Sequence, residues 1–163
     1  MFKLRPLVYD DAEYIAQIIS TTPQHFKYMY TWPEKYSIAT AKCFVEQAIK
    51  ERENRTGCHY VIDVNGFNGI VGFHDIDLRK HIGELGIWLV PECCNQGLGS
   101  SVISKMVLIG HEKLRLEYIN SGVLKQNISS EKILKKNGFL HENDYIYYNY
   151  FQNVSGHPKC TTN

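Results

Sequence analysis

Val90-Pro91-Glu92-Cys93-Cys94-Asn95-Gln96-Gly97-Leu98-Gly99-Ser100-Ser101 joins two unlike patterns. Upstream, Ile82-Gly83-Glu84-Leu85-Gly86-Ile87-Trp88-Leu89-Val90 is rich in β-branched and large apolar residues, the pattern of a buried strand. Downstream, Val102, Ile103, Met106, Val107, Gly110 and Leu114 recur at three- and four-residue steps, which predicts an amphipathic helix running to Leu114. The order is therefore strand, glycine loop, helix. The first turn of such a helix leaves backbone N–H groups unpaired at the positive end of its dipole. Gly97 and Gly99 remove side chains that would stand between a ligand and those donors, so the loop suits phosphate oxygens. Glycine in a strand-to-helix turn also serves the backbone alone. A dinucleotide fingerprint is excluded by Val102, where its third glycine would stand, and a nucleotide-triphosphate loop by the lack of Gly-Lys-Ser/Thr.

Outward from this junction the elements alternate. Phe2, Leu4, Pro6 and Leu7 predict a first strand, and Asp10 is placed to cap a helix with the apolar face Tyr14, Ile15, Ile18 and Ile19, ended by Thr21-Thr22-Pro23. His25 to Pro33 is too aromatic for a plain linker and too poor in period for a clear helix; Phe26, Tyr30 and Trp32 suit core plugs. Ser37 begins a long helix through Ala41, Phe44, Val45, Ala48 and Ile49 whose charged end, Lys50 to Arg55, is a solvated face. His59 to Val64 and Ile70 to Asp75 flank Asn65-Gly66, a pair that tolerates the positive φ of a tight turn, so with the Ile82 strand they form a three-stranded meander. Tyr118 to Leu124 is a further strand, Ser129 or Ser130 begins a short helix closed by Gly138, and Tyr145 to Phe151 is the last strand.

A length of 163 residues fits one domain, expected over 1–153 with a loosely held polar tail at 154–163. No apolar run approaches the ~20 residues of a membrane helix, and Met1-Phe2-Lys3-Leu4-Arg5-Pro6 meets charge too early for a secretory signal, so a cytoplasmic protein is expected. The 18 basic and 17 acidic residues leave a formal charge of +1, which asks for neither nucleic acid nor an acidic membrane surface. Five cysteines without regular spacing argue against a disulfide framework, and Cys93-Cys94 has no further Cys or His at ligand spacing, so no metal is expected. Composition and period alone thus give a mixed α/β protein.

Gln96-Gly97-Leu98-Gly99-Ser100-Ser101 resembles the Gln/Arg-x-x-Gly-x-Gly/Ala signature with which the GNAT superfamily of N-acetyltransferases holds the pyrophosphate of coenzyme A, with Ser101 in place of the final small residue. Asn127 and Ser130, followed by Asn137-Gly138-Phe139, resemble the Asn-x-x-Ser and Gly-Phe segment of the ribosomal-protein serine/alanine N-terminal acetyltransferase branch. Leu4-Arg5-Pro6-Leu7, Asp10-Asp11-Ala12 and the Glu84 to Leu89 strand match that branch's opening and central strand. The likeness spans residues 2 to 150. It implies an α+β fold: a central, mostly antiparallel mixed sheet splayed between its fourth and fifth strands, helices on both faces, and acetyl-coenzyme A in the gap.

The resemblance also implies roles. Trp88, Leu89 and Val90 would meet the cofactor through their backbone; Gln96, Gly97, Leu98, Gly99, Ser100 and Ser101 would hold its pyrophosphate, and Asn127 its pantetheine arm or the acceptor. Acetyl transfer to an amine needs a base for the ammonium proton, and a donor helps the departing thiolate. Glu84, a carboxylate in an otherwise apolar strand, is the candidate base, where burial would tune it toward that task; it equally suits pairing with a charge on the next strand. Through the branch's Asn-x-x-Ser, Ser130 is the candidate proton donor; the tyrosine many relatives carry seven positions after the asparagine is Leu134 here, which agrees with the serine-containing branch and leaves the acid role open. Serine and asparagine also cap helices and end strands for structural reasons alone. Tyr30, Trp32 and His74 are candidate acceptor contacts, and His74 or His81 alternative bases. The reading is an N-acetyltransferase acting on a primary amine, whether a protein N-terminus, a polyamine or another small amine, as a monomer or homodimer. The alternative is a non-catalytic acyl-coenzyme A-binding or regulatory module, which Leu134 and Ser101 keep open.

Overall fold

The computed structural model describes residues 1–27 and 36–143, and the backbone of residues 146–150. Tyr30, Trp32 and the 154–163 tail lie outside the described residues. The chain runs β1 (Lys3–Pro6), α1 (Asp11–Thr21), α2 (Ile38–Asn54), β2 (Cys58–Asp63), β3 (Phe67–Asp77), β4 (Ile82–Leu89), α3 (Leu98–Leu108), β5 (Tyr118–Gly122), α4 (Ile128–Lys136), β6 (Leu140–His141) and β7 (Ile146–Tyr150). Single 3-10 turns at Pro23–Phe26 and Pro91–Cys93 lie between these elements.

The strands form one sheet in the order β1-β2-β3-β4-β5-β7-β6, antiparallel at every junction but one. The exception is β4 with β5, which pair in parallel over Ile82↔Tyr118, Gly83↔Ile119 and Glu84↔Asn120 and then part. Ser121 Oγ donates to the Leu85 carbonyl at 2.8 Å, satisfying the first acceptor beyond the paired rungs. The expected mixed sheet, splayed between strands four and five, is therefore present.

Strand alternation divides the core in two. Val61, Ile70 and Trp88 face the apolar sides of α1 (Ala12, Ile15, Ile19) and α2 (Ala41, Val45, Ala48, Ile49). Their neighbours Ile62, Val71, Phe73, Leu85 and Ile119 face α3 (Val102, Ile103, Met106) and Leu134 of α4. Helices thus cover both faces, each locked by its own apolar stripe.

The helix ends follow side-chain chemistry, with two corrections. Ser37 caps α2 as its sequence predicts, and Thr40 completes a reciprocal capping box with it. Asp10, however, makes no capping bond. Asp11 takes the structural role instead: buried, it receives Arg5 through two bonds of 2.6 and 2.9 Å and the Val8 N–H at 2.9 Å, tying β1 to α1. Likewise α4 is capped by Asn127, whose Oδ1 accepts from the Ser130 N–H at 3.2 Å, and not by either serine. Gly138, at φ +80°, ends α4 as expected. The third helix is regular only to Leu108; Ile109–Lys113 form one wider π turn, closed by Leu114 N–H to the Ile109 carbonyl at 3.1 Å.

Candidate active site

Where β5 leaves β4, a cleft of about 770 Å³ opens. One wall is the first turn of α3, another the face of α4 carrying Ser129, Ser130, Lys132, Ile133 and Lys136, and the floor is Ile87, Trp88 and Leu89 of β4. Ile87 and Leu89 belong to the α3/α4 side of the sheet and Trp88 to the α1/α2 side, so the cleft passes through the plane of the sheet. No Asp or Glu lines it among the described residues.

The two glycines of the loop have different tasks. Gly97 is the N-cap of α3 at φ +80°, in the left-handed region, and a Cβ there would meet nothing within 4 Å. It leaves the approach to the first-turn N–H groups open, and no side chain caps them. A Cβ at Gly99 would lie 3.1 Å from Ile133 Cδ1 and 3.4 Å from Leu89 Cδ1. Its missing side chain lets α4 and β4 close on α3, a packing role the sequence reading did not give it. Ser100 lines the cleft and its Oγ accepts from Asn137 Nδ2 at 3.2 Å, which fixes α4 against this turn.

Other residues of the signature sit around the cleft and not in its lining. Gln96 is exposed and donates to the Glu92 carbonyl at 2.6 Å, Ser101 donates to the Gly97 carbonyl at 3.2 Å, and Leu98 packs against the core. Val90 gives its N–H to the Asn68 carbonyl at 2.9 Å, so it offers no free backbone donor. Leu134 is buried in the core at 3% exposure; the side chain at that position packs and does not reach the cleft lining.

Several cleft residues were not singled out by sequence. His25, from the 3-10 turn after α1, reaches the Leu89 carbonyl through Nε2 at 2.9 Å, and Cys94 Sγ lies 3.8 Å from the same nitrogen. Burial, with Cys93 and Glu92 beside it, pushes the Cys94 thiol up, the opposite of a nucleophile's need. Lys132 and Lys136 were legible only as a helical i, i+4 pair flanking Ile133.

On the α1/α2 side, β3 and β4 set His74 opposite Glu84 and Gly72 opposite Gly86. His74 Nδ1 lies 3.1 Å from Asp75 Oδ2 and its Nε2 lies 3.9 Å from Glu84 Oε1. The ligand atoms of these three residues fall within 4.8 Å of one another. The Glu84 side chain is 38% exposed, so the burial expected of it in an apolar strand is absent. The carboxylate leans over β5, where a Cβ on Gly122 would lie 3.3 Å from Oε1. Gly86 leaves open sheet beside it, where a Cβ would meet only His74 Nε2 at 3.9 Å, whereas buried Gly72 is covered by the His59 ring, 2.6 Å from where its Cβ would stand. His59 is itself pushed down to about 4, first by burial and then by the charge of His74. His81 is committed elsewhere, its Nδ1 3.0 Å from the Arg115 carbonyl.

A cleft with no acidic side chain among the described residues, opening on a helix N-terminus without a side-chain cap and continuing through a parted sheet, fits an extended polyanionic ligand. Residues 2–140 match the Acetyltransferase (GNAT) domain family. The chain belongs to that family. It is 29% identical over 152 residues to the uncharacterized N-acetyltransferase YoaA of Bacillus subtilis (strain 168), across 90% of this chain and 85% of the relative. It shares its fold with RimL, a ribosomal alpha-N-protein acetyltransferase in complex with coenzyme A, at TM-score 0.82 and 16% identity, over 91% of this chain and 93% of that one. The spermidine N-acetyltransferase of Vibrio cholerae, in complex with CoA and spermine, matches at TM-score 0.77 and 18% identity, over 91% and 95%. As a member of this family the protein is an acetyl-coenzyme A-dependent N-acetyltransferase. No helix among the described residues is long and apolar enough to cross a membrane.

Proposed function

We propose that the protein moves the acetyl group of acetyl-coenzyme A directly onto a primary amine, a protein N-terminus, a polyamine or another small amine. The first turn of α3 would hold the donor's pyrophosphate in the cleft, and the amine would arrive over the open sheet at Gly86. The observation that carries this reading is the parting of β4 from β5 after Glu84, which joins the two sides of the sheet where the reacting atoms must meet. When bound, acetyl-coenzyme A supplies an activated thioester carbonyl.

Glu84 receives the ammonium proton, directly or through water, with the His74 ring 3.9 Å from its Oε1. Asp75 at His74 Nδ1 holds that ring with Nε2 toward Glu84. Ser130 protonates the leaving thiolate; its position on the cleft wall, with its N–H fixed by Asn127 and its hydroxyl without a partner among the described residues, supports that role. Asn127 spends its Oδ1 on this cap and keeps its Nδ2 for the pantetheine arm.

The test is thiol release from acetyl-coenzyme A against a panel of acceptors: N-terminal peptides with different first residues, linear polyamines, and simple alkylamines. At least one acceptor should raise the rate well above the slow hydrolysis seen without amine, in saturable fashion. A rate independent of every amine, with tight binding of coenzyme A retained, would sink the proposed transfer.

A further inference from the structure

The cleft carries two charges for which acetyl transfer itself has no use. Lys132 and Lys136 line it from the exposed edge of α4, one turn apart, and neither makes an ion pair among the described residues. Their neighbour Lys135 is bonded to Glu131 on the same helix, outside the cleft lining. Each of the two cleft lysines precedes a residue in contact with the first turn of α3: Ile133, which abuts Gly99, and Asn137, which binds Ser100. Both stems therefore start beside the turn proposed to hold the pyrophosphate.

Charge bookkeeping shows what they meet. The donor's ADP portion has a pyrophosphate and a 3′-phosphate monoester, and the monoester is close to a dianion at neutral pH because its second ionisation lies near 6. The α3 dipole is worth about half a charge at its N-terminus, and its free N–H groups serve the one phosphate seated on them. With no carboxylate among the described lining residues to answer the lysines, a second anionic group beside the pyrophosphate is what the cleft lacks. Building on the donor placement above, we propose that Lys132 and Lys136 bind the 3′-phosphate of coenzyme A. The protein thereby selects coenzyme A thioesters over the 3′-dephospho form and over acyl groups carried on a bare phosphopantetheine arm.

Calorimetric titration of coenzyme A and of 3′-dephospho-coenzyme A tests this without turnover. Wild type should bind coenzyme A about tenfold more tightly, the sum of two partly exposed charge contacts. The double substitution Lys132→Gln with Lys136→Gln should weaken coenzyme A by about that factor and the dephospho form by less than about twofold, erasing the preference. Lys135→Gln should change neither. Equal weakening of both ligands in the double variant would assign the lysines to the pyrophosphate and overturn the proposal, as would a wild type that binds both forms alike. A wild type that binds neither would refute the donor placement, and this inference with it. Both lysines are exposed, and a melting curve for each variant separates lost binding from lost fold.

Discussion

Ser100→Glu puts the donor placement to a test in which fold and binding pull in opposite directions. Ser100 is the third residue of α3, inside the cleft lining, half-buried, and bonded only through its hydroxyl to Asn137 at 3.2 Å. A carboxylate in the first turn of a helix favours the dipole by about 0.3–1 kcal/mol, while the lost bond to Asn137 costs about 0.5–1.5 kcal/mol. The apo protein should melt within about 4 °C of wild type, since about 1 kcal/mol moves a domain of this size by roughly 2–4 °C. Binding is another matter. Like charges about 4 Å apart repel by about 1 kcal/mol in water and about 4 kcal/mol at the effective dielectric of a protein surface. The cleft is half open, so a loss of about 1–3 kcal/mol is expected, a dissociation constant raised roughly 5- to 150-fold. Ser101→Glu, one residue on and outside the lining, should cost far less. Calorimetric titration of coenzyme A reads both. Affinity for Ser100→Glu within twofold of wild type, with the fold intact, would refute the placement of the pyrophosphate on α3. The same charge at Gly99 would be a poorer probe, because the Cβ alone crowds Ile133 and Leu89.

Glu84→Gln keeps shape and removes basicity; turnover at saturating donor should fall about 10²- to 10⁴-fold with coenzyme A affinity unmoved, and unchanged turnover would strip Glu84 of the base role. Ser130→Ala should lose about tenfold or less in the same assay, since a thiolate leaves without help near neutral pH. His59 is neutral in the native state down to about pH 4, so the unfolded chain binds its proton first as pH falls below about 6.5. Stability should therefore drop between about pH 6.5 and pH 4 by up to about 3 kcal/mol, and His59→Phe should flatten that limb in urea titrations taken across the range. Asp11→Ala strands the Val8 N–H and frees Arg5, and chemical denaturation should register a loss of about 1–3 kcal/mol, reduced by the 40% exposure of the Arg5 side chain.

The parts of the fold that were legible in sequence are those set by local chemistry. Ser37, Asn65-Gly66 and Gly138 each carry their own geometric instruction, and the strand and helix periods sort residues to the correct faces. Choices between adjacent candidates were not legible. Asp10 and Asp11 are equivalent until Arg5 on β1 selects one of them, and Asn127 takes the cap from Ser129 and Ser130 because the chain turns helical at Ile128, which sets its Oδ1 on the Ser130 N–H. Gly99 reads as a ligand glycine until Ile133, thirty-four residues on, is seen against it. Of the residues the pattern singled out, Gly97, Gly99, Ser100 and Ser130 line the cleft and Gln96, Leu98 and Ser101 do not, whereas the exposure of Glu84 depends on how far β5 diverges, a tertiary property no local spacing encodes. The π turn left no signal: the apolar repeat continues through Gly110 and Leu114 whether the turn is tight or wide.

The three rungs between β4 and β5 have a mechanical consequence. They divide the sheet into two slabs, β1 to β4 and β5 with β7 and β6, which share one seam made of those rungs, the Ser121 hydroxyl and the side chains beneath. A seam with so few backbone bonds opens cheaply, because widening it strains a handful of contacts and leaves each slab's own ladder intact. Beyond Glu84, β4 has an inner edge, a row of main-chain groups within the protein and not on its rim, which a passing amide can meet as a neighbouring strand would. Whatever lies there stitches the slabs together, so filling the gap should slow amide exchange on both sides of the seam at once, including at residues of β5 that touch nothing in the cleft.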